Sequence, residues 1–273
     1  MPPLREADHR ALRLDVLEPV RCTVCGVVGR AEGWEDNLRE SGRCVACGAT
    51  NRQRQLAHVA VAVTAVRLGL HAWSLRDVVQ AAPDLDVYNT EASGPIHEVL
   101  VGLAGYRASE FIDPSLPAGA MVEGVEHQDL VQLGHGDARF DLVLSSDVLE
   151  HVPEPYEAHA HIRRVLRPGG HHVFTVPFHP TWLRDELRAE RRPDGTVVHL
   201  RPPLYHHDPL RPEGALVYRI FAIEMLVRLA ELGLHTHAYD LHEPDFGIIG
   251  RGSFVFDAIR VQPEVAGEPQ GGS

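Results

Sequence analysis

Lysine is absent from all 273 residues, so every fixed positive charge is an arginine. Schiff-base chemistry and lysine general bases are therefore closed to this chain, and any side-chain base must be His, Asp or Glu. Long apolar runs are missing too: no stretch approaches the roughly 18 apolar residues that mark a membrane-spanning helix. The first 20 residues mix charge with proline and lack an apolar h-region, so secretion is not expected and a cytoplasmic setting is. Positive charge is scarce overall, with 26 Lys+Arg against 38 Asp+Glu and a formal net charge of −12. Phosphate binding needs clustered Lys/Arg, so this balance argues against nucleic acid as the main partner and for a small-molecule substrate. With 44% hydrophobic residues the chain is too apolar to stay disordered, and its length allows one ordinary domain plus a small module. The sequence carries no signal for oligomeric state.

Cysteine is also scarce, but its four copies share one short window. Cys22-Thr-Val-Cys25-Gly and Cys44-Val-Ala-Cys47-Gly form two C-x2-C pairs, the spacing of a structural zinc site. Each pair makes a tight turn that aims two sulfurs at one metal, and Gly26 and Gly48 allow the positive φ such turns need. Four thiolates fill a tetrahedral Zn2+ shell and leave no position for water, so the ion would hold structure only. The alternatives are two disulfides or four free thiols, the first disfavoured in a reducing compartment. Residues 1–60 hold nine Arg against eight Asp+Glu, so this zinc-binding module is close to neutral. Arg52 and Arg54, at the start of a helix, read as solvated residues, and the module as a structural or substrate-capping element.

Downstream, a helix is expected over Gln53–Leu70, then alternation begins. Strands are expected at Asp86–Thr90, Tyr106–Ile112, Met121–His127, Phe140–Ser145, His172–Val176, His235–Tyr239 and Ser253–Val261. Helices are expected at Leu75–Gln80, Ile96–Leu103, Glu154–Leu166 and Ile220–Leu232. This pattern predicts an α/β fold with a mostly parallel, doubly wound sheet covered by helices on both faces. Residues 61–261 form that domain, 177–218 a long Pro-, Arg- and His-rich insertion read as a substrate lid, and 262–273 a disordered tail.

The most informative stretch is Phe140-Asp-Leu-Val-Leu-Ser-Ser-Asp-Val-Leu-Glu-His151-Val-Pro, followed by Arg164-Val-Leu-Arg-Pro-Gly-Gly170 and a strand. It resembles the class I S-adenosylmethionine-dependent methyltransferases, over about residues 84–261. The resemblance implies the Rossmann-like methyltransferase sheet, S-adenosylmethionine as cofactor, and a ligand lying at the carboxyl ends of the strands. It implies that Glu110 meets the ribose hydroxyls, that Asp129 and Leu130 flank the adenine, and that Ser146 and Asp147 close the site. The first cofactor motif departs from the family. Where an acid and G-x-G-x-G are usual, this chain has Glu91-Ala92-Ser93-Gly94, nineteen residues before Glu110. Those four residues read as the cofactor loop, with Glu91 facing the methionine ammonium.

Methyl transfer is an in-line displacement, so the protein mainly aligns nucleophile, carbon and sulfur. A hydroxyl nucleophile also needs a base, and histidine suits that task. Among 18 histidines, position selects His151, which ends the DVLEH loop, and His206 and His207 in the insertion. Asp147, Glu150 and His151 share the acid-x-x-Glu-His spacing of some metal-dependent O-methyltransferases of quinone and small-RNA pathways. That resemblance implies Mg2+ or Mn2+, completed by another His, as an alternative to a metal-free site. The leading expectation is O-methylation of a small, sugar-containing or secondary metabolite with a His base. Two other classes remain open: a zinc-ribbon RNA methyltransferase, and a non-catalytic binding or scaffold protein with a decayed cofactor loop.

Overall fold

The computed structural model describes residues 19–208 and 211–261, with the side chains of His207 and Asp208 outside that description. The expected tail, 262–273, also lies outside the described residues. An eight-stranded sheet forms the centre. Its strands are β1 (Val87–Asn89), β2 (Arg107–Glu110), β3 (Met121–Val122), β4 (Val125–His127), β5 (Phe140–Ser146), β6 (Leu166–Thr175), β7 (Leu234–Asp240) and β8 (Phe254–Arg260). Their spatial order is β7-β8-β6-β5-β1-β2-β4-β3. β4, β2, β1, β5 and β6 run parallel, whereas β8 is antiparallel to both β6 and β7. The order reverses at β1, where the chain steps first to one side and then, through β5, to the other. Such a switch point opens a crevice at the strand carboxyl ends.

Period-2 alternation divides the core between the two faces. Leu142, Leu144, Val173 and Val255 pack to one side, beneath α1 (Asn51–Leu68), α2 (Leu75–Ala81) and α3 (Gly94–Leu100). Val143, Phe174 and Phe256 pack to the other, beneath α4 (Pro155–Val165) and α5 (Ile223–Glu231). Cys22, Cys25 and Cys44 join the first cluster, so the cysteine turns and the sheet share one continuous hydrophobic core.

The elements follow the sequence reading with instructive shifts. α1 starts two residues early because Thr50 and Gln53 form a reciprocal capping box, and Gly69 closes it at φ 65°. Residues 121–127 are a hairpin turning at Gly124. α4 runs directly into β6: Leu166 pairs with Phe140, the Arg-Pro-Gly-Gly turn steps out of register, and pairing resumes at His171. α5 begins at Ile223, since Arg219 and Ile220 pair with Leu187 and Glu186 in the insertion. That insertion is built of short antiparallel ribbons, Ala189–Arg191 with Val197–His199 and Tyr205–Asp208 with Arg211–Leu216.

Candidate functional site

The crevice holds a cavity of about 1010 Å³. Its walls come from three sources. The strand ends supply Glu91, Ser93, Glu110, Asp129, Leu130, Ser146 and Asp147; the insertion supplies Tyr205, His206 and Leu216; the cysteine module supplies Arg39, Glu40 and Arg52. His151 lines it as well. Ala92 and Gly94 do not reach the wall. The Ala92 N–H donates to Glu110 Oε1 at 2.8 Å, which ties the loop after β1 to the acid ending β2. Gly94, at φ 82°, begins α3. Asp129 caps a short 3-10 turn, its Oδ1 accepting the Val131 N–H at 3.1 Å. Burial, only partly offset by Arg52, pushes the Glu91 carboxyl up to about 7.

Asp147 is the most constrained residue of the site. It sits at φ 55°, a left-handed conformation that Asp tolerates better than most side chains. The Arg39 guanidinium donates to both its oxygens, at 2.5 and 2.6 Å, and Thr175 Oγ1 donates to Oδ1 at 2.8 Å. These hydrogen bonds and the Arg39 charge hold its carboxyl well below the usual range, against the opposing effect of burial. Arg52 lies beside the pair, its Nε donating to both Glu40 oxygens at 2.8 and 3.1 Å and its Nη1 to Ser146 Oγ. The expectation that Arg52 and Arg54 are solvated is thus overturned. Arg54 is fully buried and donates to the carbonyls of Gly42, Ala49 and Gly247 at 2.6–2.7 Å. The sequence holds no signal for Arg39 or Arg52 at the site, because their partners Asp147 and Ser146 lie 108 and 94 residues away.

Behind the wall, Glu150 is fully buried, and among the described residues neither carboxylate oxygen has a hydrogen-bond partner. Its Oε1 lies 3.4 Å from His206 Nδ1 and 3.7 Å from His151 Nε2. His151 Nδ1 is 2.9 Å from the Leu216 carbonyl, which can only accept, so this nitrogen carries a proton. The nearby carboxylate raises His206 above the ordinary histidine value, while burial pushes Glu150 up. Glu150, His151 and His206 together place one oxygen and two nitrogens within 4.8 Å of one another. The expected acid-x-x-Glu-His donor set is thereby corrected: Asp147 is bound to Arg39 and takes no part. Two imidazoles and one carboxylate suit Mn2+ or another first-row ion better than Mg2+, which prefers oxygen. The His207 side chain lies outside the described residues.

The four cysteine sulfurs also lie within 4.8 Å of one another, Cys22 to Cys47 at 3.8 Å and Cys25 to Cys44 at 3.9 Å. A tetrahedron with Zn–S bonds of about 2.3 Å has edges of about 3.8 Å, so the set fits a metal. A disulfide needs about 2.05 Å, and no cysteine is bonded to another. Both turn glycines have the expected positive φ, 77° at Gly26 and 76° at Gly48. A side chain at Gly26 would also meet Ser74 Oγ at 2.8 Å, against the cap of α2.

Known proteins resemble parts of this chain. Residues 112–174 match the family described as a methyltransferase domain. Two proteins, each named an uncharacterized methyltransferase, from Mycobacterium sp. strains KMS and MCS, are 30% identical over 119 residues. Each alignment covers 41% of this chain and 45% of the relative, so it spans less than half of their length. The crystal structure of an S-adenosylmethionine-dependent methyltransferase from Mesorhizobium loti aligns over 68% of this chain and 95% of its own. Its identity is 16% and its TM-score 0.41. Residues 112–174 are thus similar to a methyltransferase domain, and they lie on a doubly wound α/β sheet with a small cysteine module before it.

Proposed function

We propose that the protein transfers the methyl group of S-adenosylmethionine to a hydroxyl of a small molecule, with His206 as general base. One observation carries this reading: the buried Glu150 carboxylate lies 3.4 Å from Nδ1 of His206, which lines the cavity that the strand ends open. S-adenosylmethionine supplies an electrophilic methyl group when bound. Glu110 accepts the ribose hydroxyls, Asp129 and Leu130 border the adenine, and Glu91, Ser93, Ser146 and Asp147 surround the methionine end. A proton held on His206 Nδ1 toward Glu150 leaves Nε2 as the free acceptor for the substrate hydroxyl proton, the arrangement of a carboxylate–histidine dyad. His151 orients the loop through Leu216 and borders the same space. The insertion, 177–218, covers the substrate and excludes water. The cysteine cluster binds a structural Zn2+, and the protein works in the cytoplasm on a sugar-containing or secondary metabolite.

The test is turnover with methyl-labelled S-adenosylmethionine and a panel of hydroxylated small molecules. His206→Gln is expected to lower turnover about 10²–10⁴-fold, the usual contribution of a general base, while S-adenosylhomocysteine affinity stays within about twofold. Unchanged turnover would remove His206 from the chemistry.

The bare Glu150 carboxylate favours a second reading, in which Glu150, His151 and His206 hold a divalent ion that polarises the hydroxyl. Calorimetric titration of Mn2+ into zinc-loaded protein separates the two. One bound Mn2+, lost in Glu150→Gln, supports the metal; no heat supports the dyad.

A further inference from the structure

The altered cofactor loop raises a question of charge. The methionine end of the cofactor carries an α-carboxylate as well as an ammonium, and a glycine-rich loop would meet the carboxylate with backbone N–H groups. Here the loop has one glycine, and its Ala92 N–H is already engaged by Glu110. Two guanidinium groups line this end of the cavity, Arg39 and Arg52. Both arms of the Arg39 fork bind Asp147, and Nη1 also binds Glu40 at 2.5 Å. Arg52 differs. Its Nε is fixed by Glu40 and its Nη1 by Ser146, but its Nη2 makes no hydrogen bond among the described residues. The side chain is only 16% exposed, so its rotamer is set while one donor edge stays open. Arg39 also engages both oxygens of a second nearby acid, Asp147, whose Oδ2 is 3.5 Å from Arg52 Nε.

We propose that Arg52 receives the α-carboxylate of the cofactor's methionine, replacing the backbone donors that a glycine-rich loop would offer. Glu40 and Arg39 are positioning residues, the first orienting Arg52 and the second engaging both oxygens of Asp147, which otherwise would draw on the open Arg52 donor. Arg52 lies five residues after Cys47, on the helix that Thr50 caps, and Glu40 lies between the two cysteine pairs. The cysteine module therefore contributes the anion-binding side of the cofactor cavity as well as structure. This inference rests on the proposed use of S-adenosylmethionine.

The experiment compares two ligands by calorimetry on zinc-loaded protein. They are S-adenosylhomocysteine and its decarboxylated analogue, S-adenosyl-3-thiopropylamine, which lacks only the carboxylate. Arg52→Met is expected to weaken S-adenosylhomocysteine about ten- to a hundredfold, the range of a charged hydrogen bond, and to leave the decarboxylated analogue within about threefold. Equal weakening of both ligands, or of neither, overturns the assignment. Wild-type protein that binds neither ligand overturns the cofactor reading itself, a result distinct from failure at Arg52. If Arg52→Met gives no thermal unfolding transition, Arg52→Gln, which keeps hydrogen-bond donors toward Glu40 and Ser146, is read by the same ratio. A ratio equal to wild type there also overturns the proposal.

Discussion

Asp147 and Glu150 stand three residues apart in one loop, yet their environments push them in opposite directions. Asp147 is held low because Arg39, Arg52 and Thr175 surround it; Glu150 is raised because burial removes water and the Asp147 charge lies nearby, against the opposing effect of His206 and His151. Separated carboxyl environments of this kind divide roles between neighbouring acids. The dyad gives a pH prediction. His206 must be neutral to act as base, and Glu150 raises its pKa above 6.5, so turnover should climb through one ionisation above that value. Glu150→Gln should move that ionisation downward; a profile unmoved by the substitution would contradict the pairing. Glu91 gives a second prediction. Burial pushes its carboxyl up to about 7, so on the proposed placement beside the methionine ammonium cofactor affinity should strengthen from pH 6 to 8 as the carboxylate forms. Glu91→Gln should flatten that dependence. For stability the sign reverses: a raised carboxyl binds protons in the fold that the unfolded chain has released, so Glu91 costs stability as pH rises from about 4.5 to 7. At this scale the sequence exposed the residues of contiguous motifs, such as the DVLEH loop and the paired cysteines. It hid Arg39 and Arg52, since a contact across about 100 residues leaves no mark on local pattern.

Among elements, the parallel strands and their covering helices were legible because burial on both faces writes near-continuous apolar runs, as in Phe140–Ser146. The insertion was legible only as a long, polar connection. Its two- to six-residue strands are too short to show alternation; two pairs close across local turns and one reaches Arg219–Ile220 beyond the insertion. The junction between cysteine module and sheet was misread for a related reason: α1 carries charged residues at its start, which pattern alone assigns to solvent. Arg54 shows what that hides. Its guanidinium fills the space between the two cysteine turns and Gly247, satisfies three carbonyls, and lies near Cys22, Cys44 and Cys47, whose charge in the proposed zinc cluster would offset its burial. Arg54→Met should destabilise the fold by about 3–5 kcal/mol, because three buried carbonyls lose their charged donor beside the cysteine cluster. Urea unfolding reads this directly, and a loss under about 1 kcal/mol would show that the module folds without that bridge.

The whole molecule carries −12 with no lysine, and the first 60 residues account for +1 of it, leaving −13 in residues 61–273. A field of that sign accommodates a cationic sulfonium and repels polyphosphate. Filter binding should accordingly find no salt-sensitive affinity for RNA at micromolar protein; a steep salt dependence would favour the RNA-methyltransferase class. The central claim, that the strand-end cavity is a site for S-adenosylmethionine, is tested most directly by thermal unfolding of zinc-loaded protein with increasing S-adenosylhomocysteine. A ligand that binds only the fold, present at about a hundredfold over its Kd, stabilises by about 2.7 kcal/mol. The account predicts an unfolding temperature that rises by several degrees and saturates, with the rise abolished in Glu110→Ala. An unfolding temperature that stays constant up to millimolar ligand would contradict it.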